Sequence, residues 1–188
     1  MSLLATPSQT AGPFLRIGFT ALAVDAIAAA GTAGPPIAIA GTIVDGDRKP
    51  VGDAAIEIWQ ADAEGKYAQA SERGSVTAGA FRGFGRILTD ADGAFRFSTV
   101  KPGAVRGPGG ALQAPHLAVT IFMRGLLRQL STRIYFPDDP ANAADPVLQR
   151  VPAERRATLI ARRPAQEENA LRWDVVLQGD GETVFFDY

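Results

Sequence analysis

The sequence contains no cysteine and a single histidine, His116, among its 188 residues. The missing thiols exclude disulfides, zinc–thiolate sites, iron–sulfur clusters and a cysteine nucleophile, so oxygen and nitrogen groups must carry any metal or catalytic chemistry. A hydrolytic triad would have to use His116, and no serine stands in a nucleophile-elbow motif. The glycine-rich stretches match neither a Walker motif nor a dinucleotide fingerprint, which leaves nucleotide binding without support.

The sequence also lacks an excess of charge and a long hydrophobic run. Its 19 basic and 20 acidic residues leave a net charge of −1, which gives no electrostatic footprint for nucleic acid or an anionic membrane. Asp25, glycines and prolines interrupt the alanine-rich residues 21–41 and exclude a spanning helix, and the N-terminus lacks the regions of a signal peptide. We therefore expect a cytoplasmic protein that binds a small molecule or another protein, and neither nucleic acid nor membrane.

The chain is rich in short runs of β-branched and aromatic residues bounded by turn signals. These runs predict about eight strands, over residues 37–43, 54–60, 86–89, 95–100, 117–122, 130–136, 172–177 and 183–186. The turn sequences DADG at 90–93 and GDGE at 179–182 predict two hairpins. The pattern indicates an all-β fold with a β-sandwich core and long loops, arranged as a single domain over residues 1–188.

Regular structure outside the strands is predicted to be sparse. One short helix in the C-terminal half is expected over residues 152–163, because Pro152 suits its first turn and Arg162 and Arg163 suit its carbonyl end. Residues 6–14 contain two prolines and a glycine, which predicts an extended N-terminal arm. Residues 68–84 and 101–110 are predicted to be long surface excursions of the kind that often carry function.

His116 opens the strand that begins after Pro115, and two interpretations remain open from the residues alone. A histidine at such a place is commonly a hydrogen-bonded structural residue, and the alternative is a metal ligand or a catalytic base. One histidine, scattered acids and three tyrosines supply no spacing that demands a metal site.

Several motifs resemble those of intradiol ring-cleaving dioxygenases in order and spacing, namely EIWQADAEGKY at 57–67, TDADGAFRF at 89–97 and KPG at 101–103. Four others resemble the alpha chains of two-chain members of this family: TPSQTAGP at 6–13, APH at 114–116, TRIYF at 132–136 and GETVFFD at 181–187. The resemblance covers nearly the whole chain. It implies a β-sandwich and, in catalytic chains, a non-haem ferric ion held by two tyrosines and two histidines.

Three of the four ligand positions implied by the resemblance are not filled. Ala104 and Val105 follow Pro102-Gly103 where a catalytic chain has a ligand tyrosine, and residues 68–84 contain no tyrosine. The His-x-His motif is reduced to His116-Leu117-Ala118. One imidazole cannot hold ferric iron against water. The resemblance therefore implies that this chain binds no metal, that His116 marks a vestigial metal position, and that Fe(III) belongs to a partner beta chain.

The resemblance also implies a role within a complex. It predicts the alpha subunit of a higher (αβ)n assembly that cleaves protocatechuate with O2 to 3-carboxy-cis,cis-muconate, with no catalytic residue in this chain alone. Residues 1–35 would be the arm and partner-contacting segment, and Thr10, Gly12 and Pro13 would lie near substrate. Arg133 would supply a charged group there, since a guanidinium binds a carboxylate bidentately. The alternative for Arg133 is a structural ion pair at the subunit interface.

Two other classes of function stay open at this point. One is a β-sandwich binding or structural module with no enzymatic partner, and the other is a self-sufficient dioxygenase that uses unorthodox ligands. A sandwich fold is compatible with either, so the site must decide between them.

Overall fold

The computed structural model describes residues 5–68, 81–137, 139–165, 167 and 169–187. The strands in this part of the chain are β1 (Pro36–Val44), β2 (Ala55–Trp59), β3 (Phe84–Leu88), β4 (Ala94–Val100), β5 (Val105–Arg106), β6 (Leu112–Gln113), β7 (His116–Phe122), β8 (Leu130–Tyr135), β9 (Ala170–Arg172) and β10 (Val175–Val176). One α-helix, α1 (Pro13–Phe19), is joined by short 3₁₀ helices at Thr20–Leu22, Pro108–Gly110, Pro140–Ala144, Leu148–Arg150 and Ala153–Leu159.

Two four-stranded sheets form the body of the described structure. In the first sheet β1 pairs antiparallel with β4 on one edge and parallel with β9 and β10 on the other. The second sheet is antiparallel throughout, in the order β3-β2-β7-β8. A separate ribbon of β5 and β6 precedes β7. The predicted all-β class is confirmed.

The core lies between the inner faces of the two sheets and follows from strand alternation. On β7 the side chains of Leu117, Val119 and Ile121 are at most 1% exposed, whereas the residues between Leu117 and Phe122 on the other face are half-buried. Ile39 and Phe97 oppose them from the first sheet within the same apolar cluster. Fully burying one such side chain stabilises the fold by about 1.5–3 kcal/mol, so this alternation fixes which face of each strand points inward.

Irregular segments join the two sheets along both sides of the sandwich. On one side Val24 bonds to Arg86 of β3, and Ile27 donates to Ser98 of β4. On the other side Ala161 donates to Tyr135 of β8, and Arg162 exchanges hydrogen bonds with Arg172 of β9. The outermost strands of the two sheets are therefore hydrogen-bonded to shared connecting segments.

The predicted DADG hairpin is wrong, because the strands beside its turn find partners elsewhere, and the predicted GDGE hairpin is limited to one residue pair. The DADG turn forms, and Asp90 accepts hydrogen bonds from Asp92 and Ala94, but it leads from β3 in the second sheet to β4 in the first. β4 pairs over seven residues with β1 instead. After the GDGE turn Thr183 exchanges hydrogen bonds with Val176 of β10, and the chain then leaves the first sheet, so that Phe186 donates to Ser131 of β8. The local turns were therefore predicted correctly, whereas the long-range pairing of the strands was not.

The N-terminal arm and the C-terminal helix differ in detail from the prediction. Residues 5–12 are irregular, but α1 begins at Pro13, whose fixed φ suits a first helical residue. The C-terminal helix is present as a 3₁₀ helix over Ala153–Leu159, and it ends before Ile160 because that residue pairs with Tyr135. The described helices are all too short to cross a membrane. Most of the excursion at 68–84 lies outside the described residues.

Gly41 of β1 is expected to be intolerant of any side chain. A Cβ at this position would lie 1.7 Å from the backbone oxygen of Trp173, at the interruption between β9 and β10. We expect Gly41→Ala to lower the free energy of unfolding by about 3 kcal/mol or more, because backbone must move to relieve the overlap. Chemical denaturation measures the loss.

Gly18→Ala is the matched control, since a Cβ on this residue of α1 meets no atom within 4 Å. In a helix this change is expected to be neutral or to stabilise by up to about 1 kcal/mol. Equal stability of the Gly41→Ala and Gly18→Ala variants would contradict the proposed close approach of Trp173 to β1.

Candidate functional site

His116 begins β7 on the outer face of the second sheet, opposite Tyr135 of β8. The residue is 6% exposed, and its Nδ1 lies 2.8 Å from the carbonyl oxygen of Ala114. Because a carbonyl oxygen only accepts, Nδ1 must carry the proton in this contact. The ring centroids of His116 and Tyr135 are 5.8 Å apart. The surroundings of His116 are therefore those of a buried histidine that is hydrogen-bonded to the backbone.

Asp145 provides the buried carboxylate of this site and is 0% exposed. Its Oδ2 accepts from the backbone N–H of Ala114 at 2.8 Å. Its Oδ1 accepts from the backbone of Val147 and Leu148 and from the Tyr135 hydroxyl, at 2.7–3.0 Å. One carboxylate thus joins the start of β7, the end of β8 and the loop that covers them.

Arg133 contributes a guanidinium that is linked to the same network. Its Nη1 donates to Gln113 Oε1 at 2.9 Å and to the Tyr135 hydroxyl at 3.3 Å. Tyr135 accepts from the arginine and donates to Asp145, so its hydroxyl uses both of its hydrogen-bonding roles. Arg133 lies directly opposite Ala118 on the neighbouring strand, on the same face as His116.

The electrostatics of the site favour neutral ring groups beside a fixed cation. Burial lowers the pKa of His116, and the nearby charge of Arg133 lowers it further. Burial also raises the pKa of the Tyr135 phenol above its ordinary value. His116 is therefore a neutral imidazole at pH 7 and Tyr135 a neutral phenol.

The donor set around His116 does not fit a ferric ion. The resemblance implies phenolate and imidazole ligands for such an ion, whereas Tyr135, the tyrosine beside His116, keeps its proton and donates it to Asp145. The guanidinium of Arg133 places a positive charge beside the position. Within the described part of the chain, no three histidine or acidic side chains gather closely enough to hold a metal.

The arm residues lie at the other end of this sheet. Thr10 Oγ1 accepts from the backbone N–H of Gly125, at 2.7 Å, in the turn between β7 and β8. Gly12 and Pro13 are exposed at the start of α1. Ala118, opposite Arg133, and the last residue of β7 are four residues apart, which is about 13 Å along a strand. Within this chain the structure therefore does not bring Thr10 and Arg133 into one pocket.

Arg124 directly precedes Gly125, the residue whose backbone N–H is bonded to Thr10 of the arm. Its side chain is 78% exposed, and its Nε lies 2.8 Å from Asp53 Oδ2. No local pattern singles Arg124 out, because the arm and the β7–β8 turn are more than a hundred residues apart in sequence. Gln113, Tyr135 and Asp145 were missed for a similar reason, although the alternation of Arg133 and Tyr135 on one strand indicates that they share a face.

The chain matches known dioxygenases throughout the described sandwich. A family model described as "Dioxygenase" matches residues 23–179. The protocatechuate 3,4-dioxygenase alpha chain of Burkholderia cepacia is 44% identical over 200 residues, covering 99% of this chain and 98% of that protein. The beta chain of the same enzyme and organism is 36% identical over 160 residues, covering 80% of this chain and 67% of that one.

A solved structure agrees with these sequence matches. The dioxygenase domain of a carbohydrate-binding fusion protein from Streptomyces sp. SirexAA-E is 26% identical, with a TM-score of 0.65, and covers 86% of this chain and 89% of that chain. The fold and the sequence matches indicate the same family. The chain belongs to the intradiol dioxygenase family, whose members depend on iron.

The single histidine permits a direct test of the buried site. We expect the NMR titration of His116 to give a pKa below its ordinary value of 6.5, because burial and Arg133 disfavour the imidazolium. The unfolded chain then binds the proton more readily than the folded chain. The contribution of His116 to stability is therefore complete above about pH 6.5 and declines as pH falls below it.

The control for this titration is His116→Gln, which lacks the titrating group and should lose stability less steeply between about pH 7 and pH 5. Comparing the two proteins removes the contribution of the carboxylates, which both share. A pKa of 6.5 or more, or identical pH profiles, would show that His116 is not held in a desolvated, neutral state.

Proposed function

We infer that this chain is the iron-free alpha subunit of a two-chain protocatechuate 3,4-dioxygenase. The observation that carries this proposal is the replacement of a metal-binding donor set by the Arg133–Tyr135–Asp145 network in a chain that is similar over its whole length to such alpha chains. An enzyme that contains this chain must therefore bind its iron on another chain. The same observation weighs against a self-sufficient dioxygenase with unorthodox ligands, and no finding supports a module without an enzymatic partner.

The proposed partner is a beta chain that holds Fe(III), in a higher (αβ)n assembly located in the cytoplasm. The complex cleaves the ring of protocatechuate between its two hydroxylated carbons with O2 and forms 3-carboxy-cis,cis-muconate. The iron of the beta chain supplies the chemistry for that cleavage. This chain acts as one domain that contributes walls and assembly contacts, and its residues 1–35 contact the partner.

The arm is proposed to complete the substrate pocket of the partner. Gly12 and Pro13 are exposed, and Thr10 is fixed to the β7–β8 turn by its bond to Gly125. Phe14 and Ile17 of α1 are 83% and 63% exposed, so apolar surface accompanies these residues. Such surface is typical of a segment that is covered by another protein.

Two arginines are candidates for the cation that meets the carboxylate of protocatechuate. Arg133 is the residue to which the sequence resemblance points, and it is held by Gln113 and Tyr135. Arg124 is the residue that adjoins the anchored arm. Either guanidinium can bind a carboxylate bidentately.

Iron analysis tests the division of labour between the chains. We expect this chain, purified alone, to hold no stoichiometric iron and to cleave no protocatechuate, because its donor set does not fit the ion. Together with the beta chain it should form a complex that contains iron and turns over protocatechuate. Stoichiometric iron and turnover by the lone chain would refute the subunit proposal, and failure to form any complex would favour a binding module.

Steady-state kinetics of the complex distinguish the two arginines. We expect Arg124→Ala to raise KM for protocatechuate about tenfold, since one charge-assisted contact is lost. Arg133→Ala is expected to weaken turnover as well. Arg128→Ala is the matched control, because Arg128 lies in the same turn, is 80% exposed and makes a long contact of 3.9 Å with Asp187.

The kinetics of each variant show the role of the replaced arginine independently of the other one. Unchanged kinetics of Arg133→Ala would reduce Arg133 to a structural role, and unchanged kinetics of Arg124→Ala would remove Arg124 from the pocket. An equal effect of Arg128→Ala would indicate a general loss of positive charge on the turn rather than a specific contact.

A further inference from the structure

The helix α1 joins the arm residues Gly12 and Pro13 to the second sheet. It has only seven residues, none of them fully buried, and helices of this length are not stable on their own in water. One side of α1 lies against the protein, where Leu15, Arg16 and Phe19 are half-buried. The contacts of this side therefore decide the position of α1, and with it that of Gly12 and Pro13.

Close packing does not hold the arm along its whole length. A cavity of about 250 Å³ lies between the arm, α1 and the β7–β8 turn, and Thr10, Leu15 and Met123 are among the residues that line it. Side chains beside a cavity lose the dispersion contacts that filled space would give them. The arm is therefore attached at separate points, one of which is the hydrogen bond of Thr10 with Gly125.

The contact at the other end of α1 is a guanidinium stacked on a phenyl ring. The central carbon of the Arg86 guanidinium lies 4.1 Å from the centroid of the Phe19 ring. A guanidinium over a ring face at this distance is attracted to the ring, and the attraction is stronger where water is partly excluded. Arg86 is half-buried on β3, so this contact lies in partly desolvated surroundings.

Glu57 fixes the direction of the Arg86 side chain. The two residues are directly opposed on β2 and β3, and Nε and Nη2 of Arg86 donate to Glu57 Oε1 at 2.9 Å and 2.5 Å. Both side chains are only 18% exposed. The backbone of Arg86 exchanges hydrogen bonds with Val24, so the chain that follows α1 is attached to the same residue. We refer to Glu57, Arg86 and Phe19 as the arginine clamp.

Arg16 makes a second contact between α1 and the same edge of the sheet. Its Nη2 donates to the backbone oxygen of Thr89, directly after β3, at 3.0 Å. Arg16 and Phe19 are three positions apart and therefore lie on one side of the helix. Two contacts to neighbouring points on one strand fix the direction of the helix axis as well as its position.

The arginine clamp is close enough to the arm to govern it. Pro13 and Phe19 are six residues apart, which is about 9 Å along a helix axis, so a fixed Phe19 determines where α1 begins. We propose that Arg86 is a positioning residue of the reaction, whose guanidinium, oriented by Glu57, holds Phe19 and thereby places the arm at the substrate. This role rests on the proposed function, in which Gly12 and Pro13 lie near substrate in the complex.

The first measurement uses the full-length chain alone and reports whether the arginine clamp orders α1. Trypsin cleaves after arginine, and cleavage after Arg16 requires α1 to open, so its rate follows the population of the open form. Phe19→Leu keeps an apolar side chain without a ring face, and Arg86→Lys keeps the charge without the planar guanidinium. We expect each to raise the cleavage rate about tenfold, measured by mass spectrometry of the released residues 1–16.

Phe14→Leu is the matched control for this measurement. It changes helix propensity in the same way as Phe19→Leu, but Phe14 is 83% exposed, so the cleavage rate should stay unchanged. Phe19→Tyr keeps a ring face and should be cleaved as slowly as the unaltered chain. An unchanged rate in Phe19→Leu and Arg86→Lys, or an equal increase in Phe14→Leu, would overturn the proposal.

The second measurement uses the complex with the beta chain and reports whether the arginine clamp serves the substrate. We expect Phe19→Leu and Arg86→Lys to raise KM for protocatechuate about threefold or more, because an arm without a fixed place binds substrate less well. The value of kcat should stay within about twofold, since the reacting groups are untouched. Phe19→Tyr should keep the original KM. Arg96→Lys is the control, because Arg96 is an exposed arginine on β4 of the first sheet.

The two measurements separate this proposal from the subunit function. Faster cleavage after Arg16 with an unchanged KM would show that the arginine clamp orders α1 without serving the substrate, and would overturn the positioning role of Arg86. An equal rise of KM in Arg96→Lys would overturn it as well. Absence of turnover in the unaltered complex would instead refute the subunit function, and the cleavage rates would still decide whether Arg86 holds α1.

Discussion

The hydrogen bonds of the Asp145 carboxylate are the constraint on which the His116 end of the sandwich depends. A fully buried carboxylate is tolerated when several donors satisfy it, and here three backbone N–H groups and one phenol do so. These donors come from segments far apart in sequence. The carboxylate thereby orders the loop at residues 145–148 and holds the Tyr135 phenol, which in turn accepts a hydrogen bond from Arg133.

This network holds the residues around His116 in a defined arrangement. A metal ion would draw ligands together from separate segments, and here the buried anion and the guanidinium do so through the Tyr135 hydroxyl. The cation is covalently part of the chain and cannot be lost to a chelator. The network therefore fixes strand ends and the direction of a charged side chain.

The sequence predicted six of the eight strands because alternation of apolar residues is a local signal, as on β7, where Leu117, Val119 and Ile121 face the core. The predicted strand at 183–186 does not form, and the one at 172–177 is divided between the end of β9 and the short β10. The sequence predicted a hairpin of β3 and β4 wrongly, because long-range pairing decides the partner of a strand: β4 aligns with seven residues of β1 rather than with β3. His116 was located at the start of its strand. Asp145 was not found, since an aspartate in a proline-containing loop carries no local sign of burial.

The hydrogen bonds that join β3 to β4 and β8 to β9 through connecting segments also limit how this chain can associate. An unpaired strand edge presents a row of free backbone groups that can pair with a strand of another molecule, and such pairing is a common route to aggregation. Residues 24–27 and 160–162 occupy part of those edges. Another chain is thus directed to the sheet faces and the arm, where side chains rather than backbone groups decide which partner fits.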